Sequence, residues 1–231
     1  MTMVYLTLLG LIPCLMIGLL IYKIFVGQAY RKMSFISFLF GVISTYPAIK
    51  MEQFAIYDLG LSFDRSYAFS TFTFAFAVIA FSEEVVKYIF LRYAIIPKLI
   101  QVRFTTIVAF SVLISLGFAT IENIMYITGY HTEPSSALQL ALIRMLTALP
   151  AHLMFGLVMG ISIAIGQLQM MRKTLWSAFG LALAIILHGM FDYLIFMRMG
   201  YALLIFAGIV VLLLVSSLIV YKTAQINDAI K

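Results

Sequence analysis

The chain has 231 residues, of which 64% are hydrophobic and only 10% are charged. Soluble domains carry about 25% charged residues, so this composition excludes a water-soluble globular protein and predicts an integral membrane protein with a mean hydropathy of +1.11. The net charge of +6 does not indicate binding to nucleic acid. The basic residues lie between apolar segments and do not form a patch with interleaved aromatic residues.

Seven apolar segments approach the length of about 20 residues that a bilayer span requires. They lie at roughly 3–22, 33–49, 67–91, 104–128, 138–166, 175–196 and 201–221. We therefore predict an all-α, polytopic membrane protein that forms one transmembrane helical domain over residues 1–231. The first segment lacks a basic region before it and an Ala-x-Ala-like site after it, so we expect a retained helix. The single cysteine, Cys14, excludes a disulfide within these 231 residues and any cysteine-based metal cluster.

Two of these segments are unusual. The second is short and ends at Tyr46 and Pro47, which predicts a tilted, kinked or partly interfacial helix. The fifth is long enough to tilt strongly or to continue past the bilayer.

Charge alternates between the connecting segments. The first, third and fifth connections contain basic residues only, namely Lys23, Arg31, Lys32, Arg92, Lys98, Arg103, Arg172 and Lys173. The second and fourth contain the acidic ones, Glu52, Asp58, Asp64 and Glu133. Because basic connections stay in the cytoplasm, we expect the N-terminus outside and the C-terminus inside.

Ionisable side chains interrupt the third segment. Glu83 and Glu84 are adjacent, and Lys87 follows one turn later. Burying one carboxylate at membrane depth costs roughly 2.5–3.5 kcal/mol on insertion scales. Two adjacent carboxylates therefore require a structural or a functional reason.

Other apolar segments also contain polar side chains. The fourth has Glu122 and Asn123, the fifth has Arg144 and His152, and the sixth has His188 and Asp192. Positions three or four apart share a helix face. This spacing groups Lys87 with the two glutamates and His188 with Asp192, so that Asp192 is expected to hold one imidazole nitrogen while the other faces a substrate. Arg144, Ala148, His152, Gly156 and Gly160 form one stripe whose small residues predict close helix packing.

This combination has a chemical use. A carboxylate in a hydrated intramembrane cavity acts as a general base toward water, and imidazole or amide donors stabilise the oxyanion formed at a carbonyl. Each group alone also has a structural interpretation, as an ion pair or an interhelical hydrogen bond. Ionisable residues within spans are functional by default, so the whole set favours hydrolysis of a peptide bond within the membrane.

The motifs resemble a known family. Glu83-Glu84-x-x-Lys87, Phe118-x-x-x-Glu122-Asn123, His152 and His188-x-x-x-Asp192 occur on successive segments. They are similar to the PrsW family of bacterial intramembrane endopeptidases, which is related to the CAAX prenyl protease and bacteriocin-processing group. This resemblance implies a multi-pass protein of a bacterial-type plasma membrane. Two residues favour the PrsW family over the related group. Lys87 occupies the basic position of the first motif, and Glu122 stands where the related group has histidine. The resemblance covers about residues 70–195, a protease-like core of four segments.

The resemblance implies a catalytic site of seven residues: Glu83, Glu84, Lys87, Glu122, His152, His188 and Asp192. It implies a glutamic-type protease in which the glutamate pair activates water without a cofactor, and a membrane-protein substrate such as a single-span anti-sigma factor in regulated proteolysis. Two alternatives stay open. The same residues are acceptable zinc ligands, although no His-Glu-x-x-His spacing occurs, and acid–histidine chains also serve proton-coupled transporters.

Overall fold

The computed structural model describes residues 3–26, 28–99, 103–129, 134–168 and 172–201, together with positions 204, 206–209, 212 and 216. Within these ranges the secondary structure is helical and no strand occurs. The predicted all-α class is therefore confirmed.

Eight α-helices with defined bounds follow one another within the described residues up to Phe196. The first half contains α1 (Met3–Ile21), α2 (Arg31–Tyr57), α3 (Ala68–Thr73) and α4 (Phe81–Ile89), and the second half contains α5 (Phe104–Gly129), α6 (Pro134–Leu146), α7 (Ala148–Leu168) and α8 (Lys173–Phe196). Wider π-helical turns lie at Tyr22–Val26, Phe74–Ala80 and Phe90–Ile95, and 3₁₀ turns at Gln28–Tyr30 and Ile96–Lys98. The π-helical turns on both sides of α4 are of the kind often found at functional sites.

Five helical stretches among the described residues are long and apolar enough to cross a membrane. They are Val4–Val26, Gln28–Tyr57, Phe104–Gly129, Ser136–Gln167 and Lys173–Phe196. The protein is therefore a multi-pass membrane protein. The predicted third segment is helical but is not one of these five, and the seventh, at 201–221, lies largely outside the described residues.

Two helices differ from their predicted bounds. The second segment does not end at Pro47, because α2 continues to Tyr57. Proline is tolerated inside membrane helices, where neighbouring groups satisfy the backbone that it leaves unpaired. The fifth segment is two helices, α6 and α7, which meet at Thr147. Pro150 lies in the first turn of α7, where its missing N–H costs nothing.

Helix α5 lies at the centre of the bundle and packs against α1, α2 and α7. A Cβ atom added at Gly156 would come within 2.6 Å of Ser115 Oγ, and one at Gly160 within 2.8 Å of Ser111 Cβ. Small residues thus allow α7 to approach α5 closely, which confirms the predicted stripe.

A second glycine contact joins α2 to α5. A Cβ atom at Gly41 would lie 2.0 Å from the carbonyl oxygen of Ile114, and one at Gly117 would lie 2.0 Å from the carbonyl oxygen of Phe38. The two backbones therefore touch, and no side chain separates them.

Replacing Gly117 by alanine is expected to destabilise the protein by about 1–3 kcal/mol or more, because the added methyl group meets backbone that has no room to move. Thermal unfolding in detergent micelles measures the loss. Gly18→Ala is the matched control, since its Cβ would have no neighbour closer than 3.6 Å. Equal unfolding temperatures for the two variants would contradict the backbone contact.

Candidate active site

The seven residues predicted as a site come together on four helices. α4 contributes Glu83, Glu84 and Lys87, α5 contributes Glu122, α7 contributes His152, and α8 contributes His188 and Asp192. Contacts of 2.6–3.9 Å join all seven into one polar cluster. The structure therefore brings all seven residues to one place between the helices.

Lys87 lies at the middle of this cluster and is only 1% exposed. Its Nζ donates to Glu84 Oε1 at 2.7 Å and to Glu83 Oε2 at 3.1 Å, and it lies 3.4 Å from His152 Nδ1. The ring of Phe118 lies 3.9 Å from the same nitrogen. An ammonium has three N–H donors, so these three acceptors occupy all of them.

His152 connects Lys87 to Glu122. Its Nε2 lies 2.6 Å from Glu122 Oε2, while its Nδ1 faces the ammonium. An ionised carboxylate only accepts and an ammonium only donates. The partners therefore assign the imidazole proton to Nε2 and the lone pair to Nδ1.

His188 has a carboxylate beside each of its ring nitrogens. Nδ1 lies 2.9 Å from Glu84 Oε1, and Nε2 lies 3.4 Å from Asp192 Oδ2 and 3.9 Å from Glu83 Oε2. The predicted pairing with Asp192 is confirmed. The expectation that the other nitrogen faces a substrate is wrong, because the packing of α4 on α8 places Glu84 against it.

Arg144 extends the cluster beyond the predicted set. Its Nη2 lies 3.0 Å from Glu122 Oε1, its Nε donates to Asn123 Oδ1 at 2.7 Å, and its guanidinium lies 4.1 Å from the ring centre of Tyr126. The spacing of Arg144 and His152, two helical steps of four residues apart on one face, already indicated that Arg144 lies on the same side as the site. Glu122 is consequently held from two sides, by a guanidinium and by an imidazole.

A cavity of about 260 Å³ opens beside the cluster. Its lining comes from α2, the π-helical turn before α4, α4, α5 and α8, and consists of Thr45, Ile49, Glu52, Ile79, Glu83, Phe118, Glu122, Met125, Tyr126, Asp192 and Phe196. Of the two adjacent glutamates only Glu83 lines the cavity, whereas Glu84 is completely buried. Access to the cavity thus distinguishes the two glutamates, whereas the sequence alone could not tell which of them acts as the base.

Glu52 is a lining residue that the sequence did not single out. It was assigned to the second connecting segment, but α2 includes it. With the helix continued past Pro47, the spacing of Thr45, Ile49 and Glu52 places them on one face. That spacing is the signal that would have identified Glu52.

The donor atoms of the cluster fit a divalent metal ion. Glu83, Glu84 and His188 form one group of potential ligands, and Glu83, Glu122 and His152 form another, with the atoms of each group within 4.8 Å of one another. Glu84 Oε2 is buried and has no hydrogen-bond partner among the described residues. Carboxylate oxygen and imidazole nitrogen are the ligands of catalytic zinc sites.

Known proteins similar to this chain belong to one family. The model of the PrsW family of intramembrane metalloproteases matches residues 30–220. The chain is 33% identical over 147 residues to Protease PrsW of Clostridioides difficile (strain 630), covering 60% of this chain and 58% of that relative. It is 25% identical over 160 residues to Protease PrsW of Bacillus subtilis (strain 168), covering 69% and 67%. The match to the first of these relatives thus spans less than two thirds of its length. No solved structure matches the chain.

Proposed function

From the premise that this chain belongs to the PrsW family of intramembrane metalloproteases, we propose that it is an intramembrane endopeptidase that cleaves a membrane-spanning protein. The observation that carries the proposal is the position of Glu83, which lines the cavity and also contacts the buried ammonium of Lys87. A carboxylate in that position is accessible to water while its charge is balanced. The seven clustered residues, within a protease core of about residues 70–195, are the proposed catalytic machinery.

In the proposed reaction Glu83 acts first as a base and then as an acid. It takes a proton from a water molecule in the cavity as the water oxygen attacks the carbonyl carbon of the scissile bond. The carbonyl oxygen then carries the negative charge. The oxyanion then re-forms the C=O bond as the C–N bond breaks, and Glu83 gives its proton to the leaving amine. One water is consumed, and the ionised carboxylate of Glu83 is regenerated.

His188 is the proposed donor to the oxyanion. Both ring nitrogens of His152 are engaged, by Lys87 and Glu122, and Lys87 uses all three of its donors. His188 Nε2 has the longest contacts in the cluster, 3.4 Å to Asp192 and 3.9 Å to Glu83. His188 is not part of the described cavity lining, but both of these acids are, so its Nε2 lies directly behind the cavity wall. A donor with contacts this long is the one that can turn from them toward the oxyanion and stabilise its charge.

A metal-dependent version of this reaction is the second candidate, favoured by the unpaired Glu84 Oε2 and the two donor groups. Glu83, Glu84 and His188, or Glu83, Glu122 and His152, would hold the ion. A bound divalent ion polarises a carbonyl and lowers the pKa of water. In either version the same side chains bind and orient the reactants.

The direction of the cavity supports cleavage near the outer face of the membrane. Glu52, Tyr126 and Phe196 line it, and each lies near the C-terminal end of its helix. The basic connecting segments lie at the opposite ends of these helices, which the positive-inside rule assigns to the cytoplasm. We therefore propose that the N-terminus lies outside and the C-terminus inside the bacterial plasma membrane. The proposed substrate is a single-span protein of the anti-sigma-factor type in the same membrane.

The test is cleavage of tagged single-span substrates by the purified protein in liposomes, and we expect two fragments from a cut near the outer membrane face. Intact substrate at every enzyme concentration, together with proton flux across the same liposomes, would contradict the proposal.

Metal analysis of the same preparation, with and without chelator, distinguishes the metal-dependent reaction from the purely glutamic one. A metal-dependent enzyme loses both the bound ion and the activity in chelator, whereas a purely glutamic one keeps its activity.

A further inference from the structure

Glu52 differs from the other acids of the cavity. Its carboxylate is half-buried and makes no hydrogen bond or ion pair with any other described residue. The other three acids of the lining each have a basic partner, namely Lys87 for Glu83, Arg144 for Glu122 and His188 for Asp192. Among the acids of the described lining, Glu52 is thus the one without a cation beside it.

The surroundings of Glu52 supply no alternative partner. No lysine, arginine or histidine belongs to the described lining of the cavity. Lys50 is near in sequence, but its Nζ donates to Gln53 at 2.9 Å and lies 5.8 Å from the ring centre of Tyr46, on the exposed side of α2. A partly desolvated carboxylate without a partner is unfavourable, so a cation that enters the cavity gains a prepared acceptor.

The size of the cavity and the position of Glu52 in it limit the kind of cation that can bind there. Its volume of about 260 Å³ lies just below the range of about 300–1,000 Å³ that is usual for small-molecule pockets. The proposed scissile bond occupies the part beside Glu83, on α4, while Glu52 lies on α2, which forms another wall of the same cavity. A group reaching Glu52 is therefore attached to a residue close to the bond that is cut.

We propose that Glu52 is a specificity-determining residue that binds a lysine or arginine side chain of the substrate next to the scissile bond. This inference rests on the proposed protease function. Charge-assisted hydrogen bonds between such a cation and a carboxylate are about twice as strong as neutral ones. The α2 wall then selects the substrate, and the acids and histidines of α4, α5, α7 and α8 perform the cleavage.

The experiment uses liposomes with single-span substrates that differ only at one position beside the cleavage site, which carries lysine, glutamine or glutamate. For the wild-type protein we expect kcat/KM to be about tenfold or more higher for lysine than for glutamine, as a charge-assisted contact of this kind predicts. Glu52→Gln is expected to bring the lysine-to-glutamine ratio to about one. Glu52→Lys is expected to reverse the order of lysine and glutamate.

Asp58→Asn is the matched control, since Asp58 is exposed at the end of the same helix and is not part of the cavity lining. It should leave the substrate order unchanged. If the wild type cleaves none of the substrates, the proposed function itself fails and this inference fails with it. If the wild type cleaves them but Glu52→Gln leaves the ratio unchanged, or lowers kcat/KM equally for all three, only the role of Glu52 is overturned.

Discussion

Replacing Glu83 by glutamine is expected to lower the rate of substrate cleavage by about 10²–10⁴-fold, the usual contribution of a general acid–base. Glutamine preserves the size of the side chain and still accepts a hydrogen bond from Lys87, so the fold should tolerate it. It cannot accept the proton of the attacking water. The loss should therefore appear in kcat with little change in the unfolding temperature.

Glu84→Gln is the matched comparison, one residue further along α4. Glu84 is completely buried and contacts both Lys87 Nζ at 2.7 Å and His188 Nδ1 at 2.9 Å. Its carboxylate does not line the cavity, so its replacement should reduce stability more and cleavage less than Glu83→Gln does. If Glu84→Gln removes more activity than Glu83→Gln at equal amounts of folded protein, the assignment of the base to Glu83 is wrong.

Replacing Lys87 by methionine is expected to destabilise the protein by about 3–5 kcal/mol, the usual cost of removing one partner from a buried ion pair. Methionine has a similar length, so the space is filled, while the charge and the contacts of Nζ with Glu83, Glu84 and His152 are lost. Glu83 and Glu84 would then be two adjacent buried carboxylates without a cation. Denaturant unfolding in detergent micelles measures the effect.

The double variant Glu84→Gln/Lys87→Met makes this prediction specific. Removing both charges of the 2.7 Å pair leaves fewer unpaired groups than removing Lys87 alone, so the double variant should be more stable than the single one. Residues in contact show such non-additivity. Strictly additive losses would show that Lys87 contributes by packing and not by charge.

The sequence predicted which residues come together in the structure, because each is an ionisable group in an apolar helix. Helical spacing of three or four residues then determines which of them share a face, as for His188 and Asp192. Their order on successive segments supplied the family resemblance. No tertiary information is needed for any of these steps.

What the sequence could not predict depends on which helix lies opposite which. The contact between Glu84 and His188 joins residues 104 positions apart, and periodicity does not indicate that pairing. Pro47 was taken as the end of a segment, so Glu52 was interpreted as a loop charge. The division of the fifth segment at Thr147 was likewise hidden, because Pro150 and its neighbours are apolar enough for a continuous span.

The glycine contact between α2 and α5 has a consequence for the evolution of the cavity. Because the backbones touch at Gly41 and Gly117, no side chain separates the two helices there, and the face that carries Thr45, Ile49 and Glu52 begins one turn beyond that contact. We expect so close a backbone contact to keep this wall in place when a different substrate enters. A change of preference in related proteins is therefore expected to arise from substitutions at these three positions.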